Sequence, residues 1–278
     1  MEGNIMKQIF AFLLAAVCVL ALTACGASES PPVEVNFSNC GITDEMLAEM
    51  VASGEIPKNV THLDLSYART SDIPERISDV APLQSLKKLT YLDLSYNEVS
   101  DLAPLKSLTN LTYLSVCWNF PGSIENSFSD LSPLQTLKKL THLDLDYAVM
   151  VADLTPLKSL ANLTYLNLSN CYSVSDITPL SSMTSLKELY LHGTQVNDIS
   201  PLKPLTGLTH MGLFQVKIED TAPLRSLANL EELILSYDND TDLTPLRFLK
   251  KLKKLTLHHL DTDDIREYNE YDIMNSFD

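Results

Sequence analysis

Residues 79 to 100 read DVAPLQSLKKLTYLDLSYNEVS, and from Asp101 the same pattern starts again. Each copy opens on an aspartate, turns at a Pro-Leu pair, spaces its leucines three apart and ends in an L-x-L alternation. Aligned on the first leucine of that pair, the anchors are Leu63, Leu92, Leu114, Leu143, Leu166, Leu189, Met211, Leu233 and Leu255. Successive anchors lie 22 or 23 residues apart, except for two steps of 29. A degenerate copy stands upstream, where Val35-Asn-Phe37 takes the place of Leu92-Asp-Leu94. The two long steps hold their extra residues within Arg69 to Ser78 and within Phe120 to Ser129, as loops between copies.

A period of this length with an L-x-x-L-x-L-x-x-N core marks a leucine-rich repeat. The expected fold is an α/β solenoid, a horseshoe of about ten coils with a parallel concave sheet and a convex side of 3₁₀ turns and loops. In residues 79 to 100, Leu83, Leu86, Leu89, Leu92, Leu94 and Val99 point inward and stack on the coils above and below. The period-2 alternation of the short strand sends Tyr91, Asp93 and Ser95 outward. At the corner, aspartates 79, 101, 130, 153, 176, 198, 220 and 242 are placed to accept backbone N–H groups ahead of a proline that suits a first helical turn. That is a structural role. Thr43 to Ser53 reads as a capped helix within an N-terminal cap over 33–58. The acidic stretch 261–278, with Ile265, Tyr268, Tyr271 and Ile273 as apolar contacts, reads as the C-terminal cap, since terminal repeats must be covered.

Composition bounds the function. Of 278 residues, 45% are apolar, and 36 acidic against 20 basic side chains give a net charge of -16. Such a balance argues against phosphate binding, so nucleic acid is excluded as a partner. Fourteen apolar residues, Ile9 to Leu22, follow Lys7, the length of a signal-peptide core and short of a bilayer span. They end in Leu22-Thr-Ala-Cys25-Gly, which closely resembles the lipobox of bacterial lipoproteins. The resemblance implies a signal peptide over 1–24, lipidation of Cys25, a tether over 25–32 and a repeat domain over 33–278. It places the chain in the bacterial envelope, anchored outside the cytoplasmic membrane or in an outer membrane. Cys40 and Cys171 occupy the asparagine slot of their coils and read as small buried fillers, with Cys117 a free thiol on the other face.

Function is expected on the outward strand positions. All six histidines fall there, as do eight of the eleven tyrosines and the only tryptophan. One column reads Tyr67, Tyr96, Trp118, Tyr147, and its neighbour reads Asp64, Asp93, Ser115, Asp144. Carboxylates directly across adjacent strands repel, so a surface indifferent to function would not collect them. Asp64, Tyr67, Tyr91, Asp93, Tyr96, Tyr113, Trp118, His142, Asp144 and Tyr147 are therefore the expected partner-binding residues. Aromatic rings dominate interface hot spots, and the carboxylates favour a protein or peptide presenting Lys or Arg. A glycan or cell-wall-binding module is the alternative. His62-Asp64-Ser66 and His142-Asp144-Asp146 place catalytic residue types on one strand, but residues two apart sit about 6.5 Å from each other, long for a nucleophile and its base. No catalytic role, cofactor or metal is expected, and the expected assembly state is a monomer.

The D-[LI]-x-P-L corner followed by the leucine ladder resembles the bacterial internalin-type leucine-rich repeat over residues 33 to about 265. The asparagine slot departs from that pattern, holding Asn only at Asn97 and Asn119. The resemblance implies a curved parallel-sheet horseshoe that binds protein through its concave sheet.

Overall fold

The computed structural model describes residues 32–67, 76–119, 127–262 and 264–269. The leader, Cys25, nearly all of the tether, most of both insertions and the last nine residues lie outside them. Contacts divide the chain into two compact units at the Phe128/Ser129 junction.

In the first unit β1 (Val33–Asn36), β2 (Val60–Asp64), β3 (Tyr91–Asp93) and β4 (Tyr113–Ser115) pair in parallel in chain order. Val35, Leu63, Leu92 and Leu114 are register partners, so the ladder leucines align along one side of the sheet. α1 (Asp44–Ser53) lies between β1 and β2. It begins where the Thr43 side chain accepts the Met46 N–H and stops at Gly54, whose φ of 85° suits a residue without Cβ. Leu47 and Met50 are its buried face, as the helical spacing predicts.

In the second unit β5 (His142–Asp144), β6 (Tyr165–Asn167), β7 (Glu188–Tyr190), β8 (His210–Leu213), β9 (Glu232–Tyr237) and β10 (Lys254–His259) repeat the arrangement. β11 (Ile265–Asn269) then turns back and pairs antiparallel with β10. The expected acidic cap is thus a strand over these residues, and Ile265, expected as an apolar contact, is 53% exposed. Tyr271 and Ile273 lie outside the described residues.

From β2 to β10 a 3₁₀ turn separates each strand from the next, Ala81–Ser85 and Ala103–Ser107 in the first unit and six more in the second, all with proline in the first two positions. Every corner aspartate accepts the N–H two residues on, at 2.7–2.9 Å. The hydroxyl and the N–H of that residue together hold the carboxyls of Asp153, Asp176, Asp198 and Asp242 below the usual carboxylate range, the hydroxyl first at Asp153 and Asp176 and the N–H first at Asp198 and Asp242. The corner chemistry read from the sequence is therefore structural.

Leu83, Leu86, Leu89, Leu92, Leu94 and Val99 are fully buried, and the ladder leucines of later coils are buried with them. Each such leucine contributes about 1.5–3 kcal/mol through area removed from water. Polar groups between coils are satisfied in columns. Asn97 donates to the carbonyls of Leu65 and Leu94 and accepts from Ile77 N–H, and Asn119 does the same with Leu94, Val116 and Val99. Where the slot lacks asparagine the bond to the strands survives in reduced form: Cys171 donates its thiol to the Leu145 carbonyl and Thr194 its hydroxyl to that of Leu191. Cys171 is buried and Cys40 half-buried. Asn110 and Asn162 each donate to a carbonyl of the preceding coil.

Candidate partner-binding surfaces

On the outward face of the first unit, His62, Tyr91 and Tyr113 are register neighbours at strand spacing, and their rings stack in one pile. Centroids are 3.7 and 4.1 Å apart, with planes 6° and 12° from parallel. Tyr96 and Trp118 make a second, looser pair at 5.6 Å. All five rings are half-buried.

The carboxylates beside them are less available than the alternation suggested. Asp64 and Asp93 sit side by side in register, and each Oδ1 accepts both the N–H and the hydroxyl of the serine two residues on. Burial raises the Asp93 carboxyl above its ordinary range and Asp64 adds to this, against the two bonds from Ser95. Asp144 likewise accepts the Asp146 N–H at 2.9 Å. These side chains close the turn after each strand, in addition to any contact with a partner. Ser95, expected outward, is only 6% exposed and shares a 2.7 Å hydrogen bond with the buried Ser115.

Tyr67 corrects the expected site outright. It is 4% exposed, its hydroxyl donates to the Ile42 carbonyl at 3.3 Å, and burial pushes its pKa up to about 12. Tyr96, Trp118 and Tyr147, in the same column, have φ of 61°, 56° and 61°, a left-handed set that does not include Tyr67, whose hydroxyl lies on the Ile42 carbonyl of the first coil.

In the second unit, His142 stacks on Tyr165 at 3.9 Å and 9°. From Tyr165 a track of rings crosses the sheet diagonally: Tyr190 at 5.7 Å, His192 at 5.8 Å, Phe214 at 6.3 Å and His258 at 4.5 Å, each from the ring before it. Their planes are inclined by 38–71°. Tyr165, Tyr190, His192 and Phe214, with Ile234 and Ile265, line a hollow of about 790 Å³ whose charged lining is Asp146, Glu267 and Lys254. Tyr147 stands apart from the track, edge-on to the exposed Tyr172 at 6.1 Å. His258, counted outward in the sequence, is 4% exposed beneath Phe214.

Gly212 makes room for this track. In its column the neighbours are Tyr190 and Ile234, and a Cβ at 212 would overlap the His192 ring. His192 Nδ1 accepts the Phe214 N–H at 2.9 Å, which leaves the proton on Nε2 in the neutral ring. Burial lowers the pKa of both His192 and His142, the latter against the opposing pull of Glu188. The phenol of Tyr190 is pushed up to about 12, first by burial and then by Glu188 and Glu232.

Of the ten expected residues, the first unit thus holds Tyr91, Asp93, Asp64, Tyr113, Tyr96 and Trp118 on its outward face and buries Tyr67. The second holds His142, Asp144 and Tyr147. Tyr165, Tyr190, His192 and Phe214 were visible as outward positions but not selected. Gly212, which with Gly193 is one of two glycines among those positions, was the signal for them. Nothing in the alternation pointed to Ile265, which reaches the hollow from an antiparallel strand.

Ser66 donates to Asp64 at 2.6 Å, much closer than the strand spacing of about 6.5 Å suggests, because the side chain and N–H of Ser66 both turn back onto that carboxylate. Among the described residues no group of three His, Cys, Asp or Glu side chains is placed to hold a metal ion, and no helix is long and apolar enough to cross a membrane.

A family model described as leucine rich repeats in two copies matches residues 87–125 and 161–204. Among solved structures, an internalin (inlF) of Listeria monocytogenes superposes with a TM-score of 0.71 at 26% identity, covering 90% of this chain and 69% of that one. Internalin C2 (inlC2) of the same organism gives 0.59 at 28% identity, covering 72% of this chain and 79% of that one. The fold is an internalin-like leucine-rich-repeat solenoid. Among curated proteins nothing matches the chain. In this internalin-like frame the corner aspartates, ladder asparagines and leucines are all accounted for by stacking, and the half-buried rings are not. Repeat folds of this kind present extended binding surfaces.

Proposed function

We propose that the chain is a non-enzymatic recognition scaffold that captures a protein or peptide on the outward face of its sheet. The observation that carries this reading is the backbone at Tyr96, Trp118 and Tyr147. All three are left-handed, at a turn position where the same fold uses Asn39, Asn170, Gly193 and Gln215. Bulky side chains in that region are uncommon and strained, and such strain concentrates at functional sites. Conformation favours Asn or Gly there and burial does not require a ring. Selection for what the rings touch explains them.

A protein partner fits better than a glycan, because sugars bind by lying flat on ring faces. In the first unit the faces of His62, Tyr91 and Tyr113 cover one another at 3.7 and 4.1 Å, which leaves ring edges and hydroxyls for contact. With a net charge of -16, a partner bearing Lys or Arg is favoured. We place the scaffold on the bacterial cell envelope as a monomer, lipid-anchored through Cys25. Proximity labelling on intact cells, with Trp118→Ala and Tyr96→Ala variants as controls, tests the reading. Partner recovery should drop at least tenfold in the double variant, and undiminished recovery overturns it. A glycan array that retains the parent chain and not the variants would favour the cell-wall alternative.

A further inference from the structure

The hollow of the second unit differs from the ring pile of the first in one respect that bears on its ligand. Stacked rings consume each other's faces, whereas Tyr190, His192 and Phe214 are inclined at 38–71° to the ring before them and, with Tyr165, one face of which lies on His142, line an open space. Rings held at such angles keep π-faces for something else. The space is too polar at its margin for a purely apolar guest: Asp146 and Glu267 line it, and the carboxylates of Asp144, Asp146, Glu188 and Glu232 all act on the tyrosine hydroxyls. Lys254, the one cation in the lining, is 3.9 Å from Glu232. His192 adds no charge, since its Nδ1 is occupied by the Phe214 N–H.

We infer that this hollow is an aromatic cage for a cationic side chain, an arginine or lysine of the captured partner, held over the faces of Tyr190 and Phe214 with Asp146 and Glu267 as counter-charges. The inference rests on the recognition reading above and names the chemistry of one contact within it. A ring face within about 6 Å attracts a guanidinium or ammonium through its quadrupole, most strongly where water is excluded. Ile265 on β11 supplies an apolar wall along the aliphatic stem of such a side chain, which explains why a large apolar residue stands 53% exposed beside a charged strand. Gly212 is what permits the cage, because any side chain there would displace His192.

The test uses the full chain and three small probes: N-acetyl-arginine amide, tetramethylammonium and N-acetyl-citrulline amide, the last an uncharged shape-match of the first. Binding is read by NMR chemical-shift titration of the ring protons. Arginine amide and tetramethylammonium should both bind, arginine amide at least about fivefold more tightly than citrulline amide. Tyr190→Leu and Phe214→Leu, which keep apolar bulk but remove a π-face, should each weaken both cations about three- to thirtyfold. Asp146→Asn should weaken them in proportion to added salt screening. Equal binding of citrulline amide, or full affinity in both leucine variants, overturns the cage. If cell-surface capture persists while no cation binds the hollow, the cage fails and the recognition reading stands. Loss of capture in the Trp118 and Tyr96 variants with the cage intact shows the reverse independence.

Discussion

The imidazole of His192 lies across Gly212 so closely that position 212 cannot carry a Cβ without overlapping the ring. Tyr190 Cδ1 would stand 2.9 Å from the same added atom. One missing side chain therefore sets the placement of two rings on the sheet. Gly212→Ala should destabilise the chain by about 1–3 kcal/mol, the usual cost of overpacking. Urea midpoints measure it. In the His192→Ala background the same substitution should cost much less, because the clash is removed, and additive effects would disprove the contact.

Asp93 carries a charge where the fold does not need one. Its equivalent on β6 is Asn167, whose Oδ1 accepts the Ser169 N–H at 3.0 Å just as Asp93 accepts Ser95. Asp93→Asn keeps that bond and removes the repulsion from Asp64, so it should stabilise the chain by about 0.5 kcal/mol at neutral pH. The sign with pH follows from the raised pKa. The folded state holds a proton on Asp93 more readily than the unfolded chain, so the charge costs stability above the raised value and nothing below about 3.8. The gain should therefore vanish as pH falls through that window.

His142 and His192 impose the opposite trend at milder acidity. Both have folded pKa values below the usual 6.5 because burial disfavours the charged ring. Between 6.5 and those lowered values the unfolded chain binds protons that the folded chain refuses. Stability should be full above pH 6.5 and decline below it. His142→Phe keeps a ring on Tyr165 and removes one titrating group, so its urea midpoint should fall less between about pH 7.5 and 5.5. An unchanged fall would place the sensitivity elsewhere.

Tyr67 and Trp118, at the same place in copies two apart, should respond in opposite ways. Tyr67→Ala opens a buried cavity and should cost about 3–5 kcal/mol, while the folded fraction still binds. Trp118→Asn trades ring stacking for relief of a left-handed backbone, so stability should stay within about 1 kcal/mol while partner capture is lost. Thermal unfolding alongside the labelling assay separates the two.

The sequence alone determined the period, the inward leucines, the corner aspartates and the capped helix, because each follows from spacing within one coil and from local capping chemistry. It also listed the outward aromatics, since alternation about a leucine anchor leaves no other face for them. Which of those side chains would be exposed was not decided locally. Tyr67 and Tyr96 hold the same slot, yet contact with Ile42 of the first coil buries one and the other is left half-buried. His258 and Ser95 are outward by pattern and covered by neighbours from the adjacent coil. The hollow around His192 depends on strand register, on a glycine one coil away and on Ile265 returning from an antiparallel strand. Those are contacts between coils, and only packing of one repeat on the next fixes how much of each side chain is left to water.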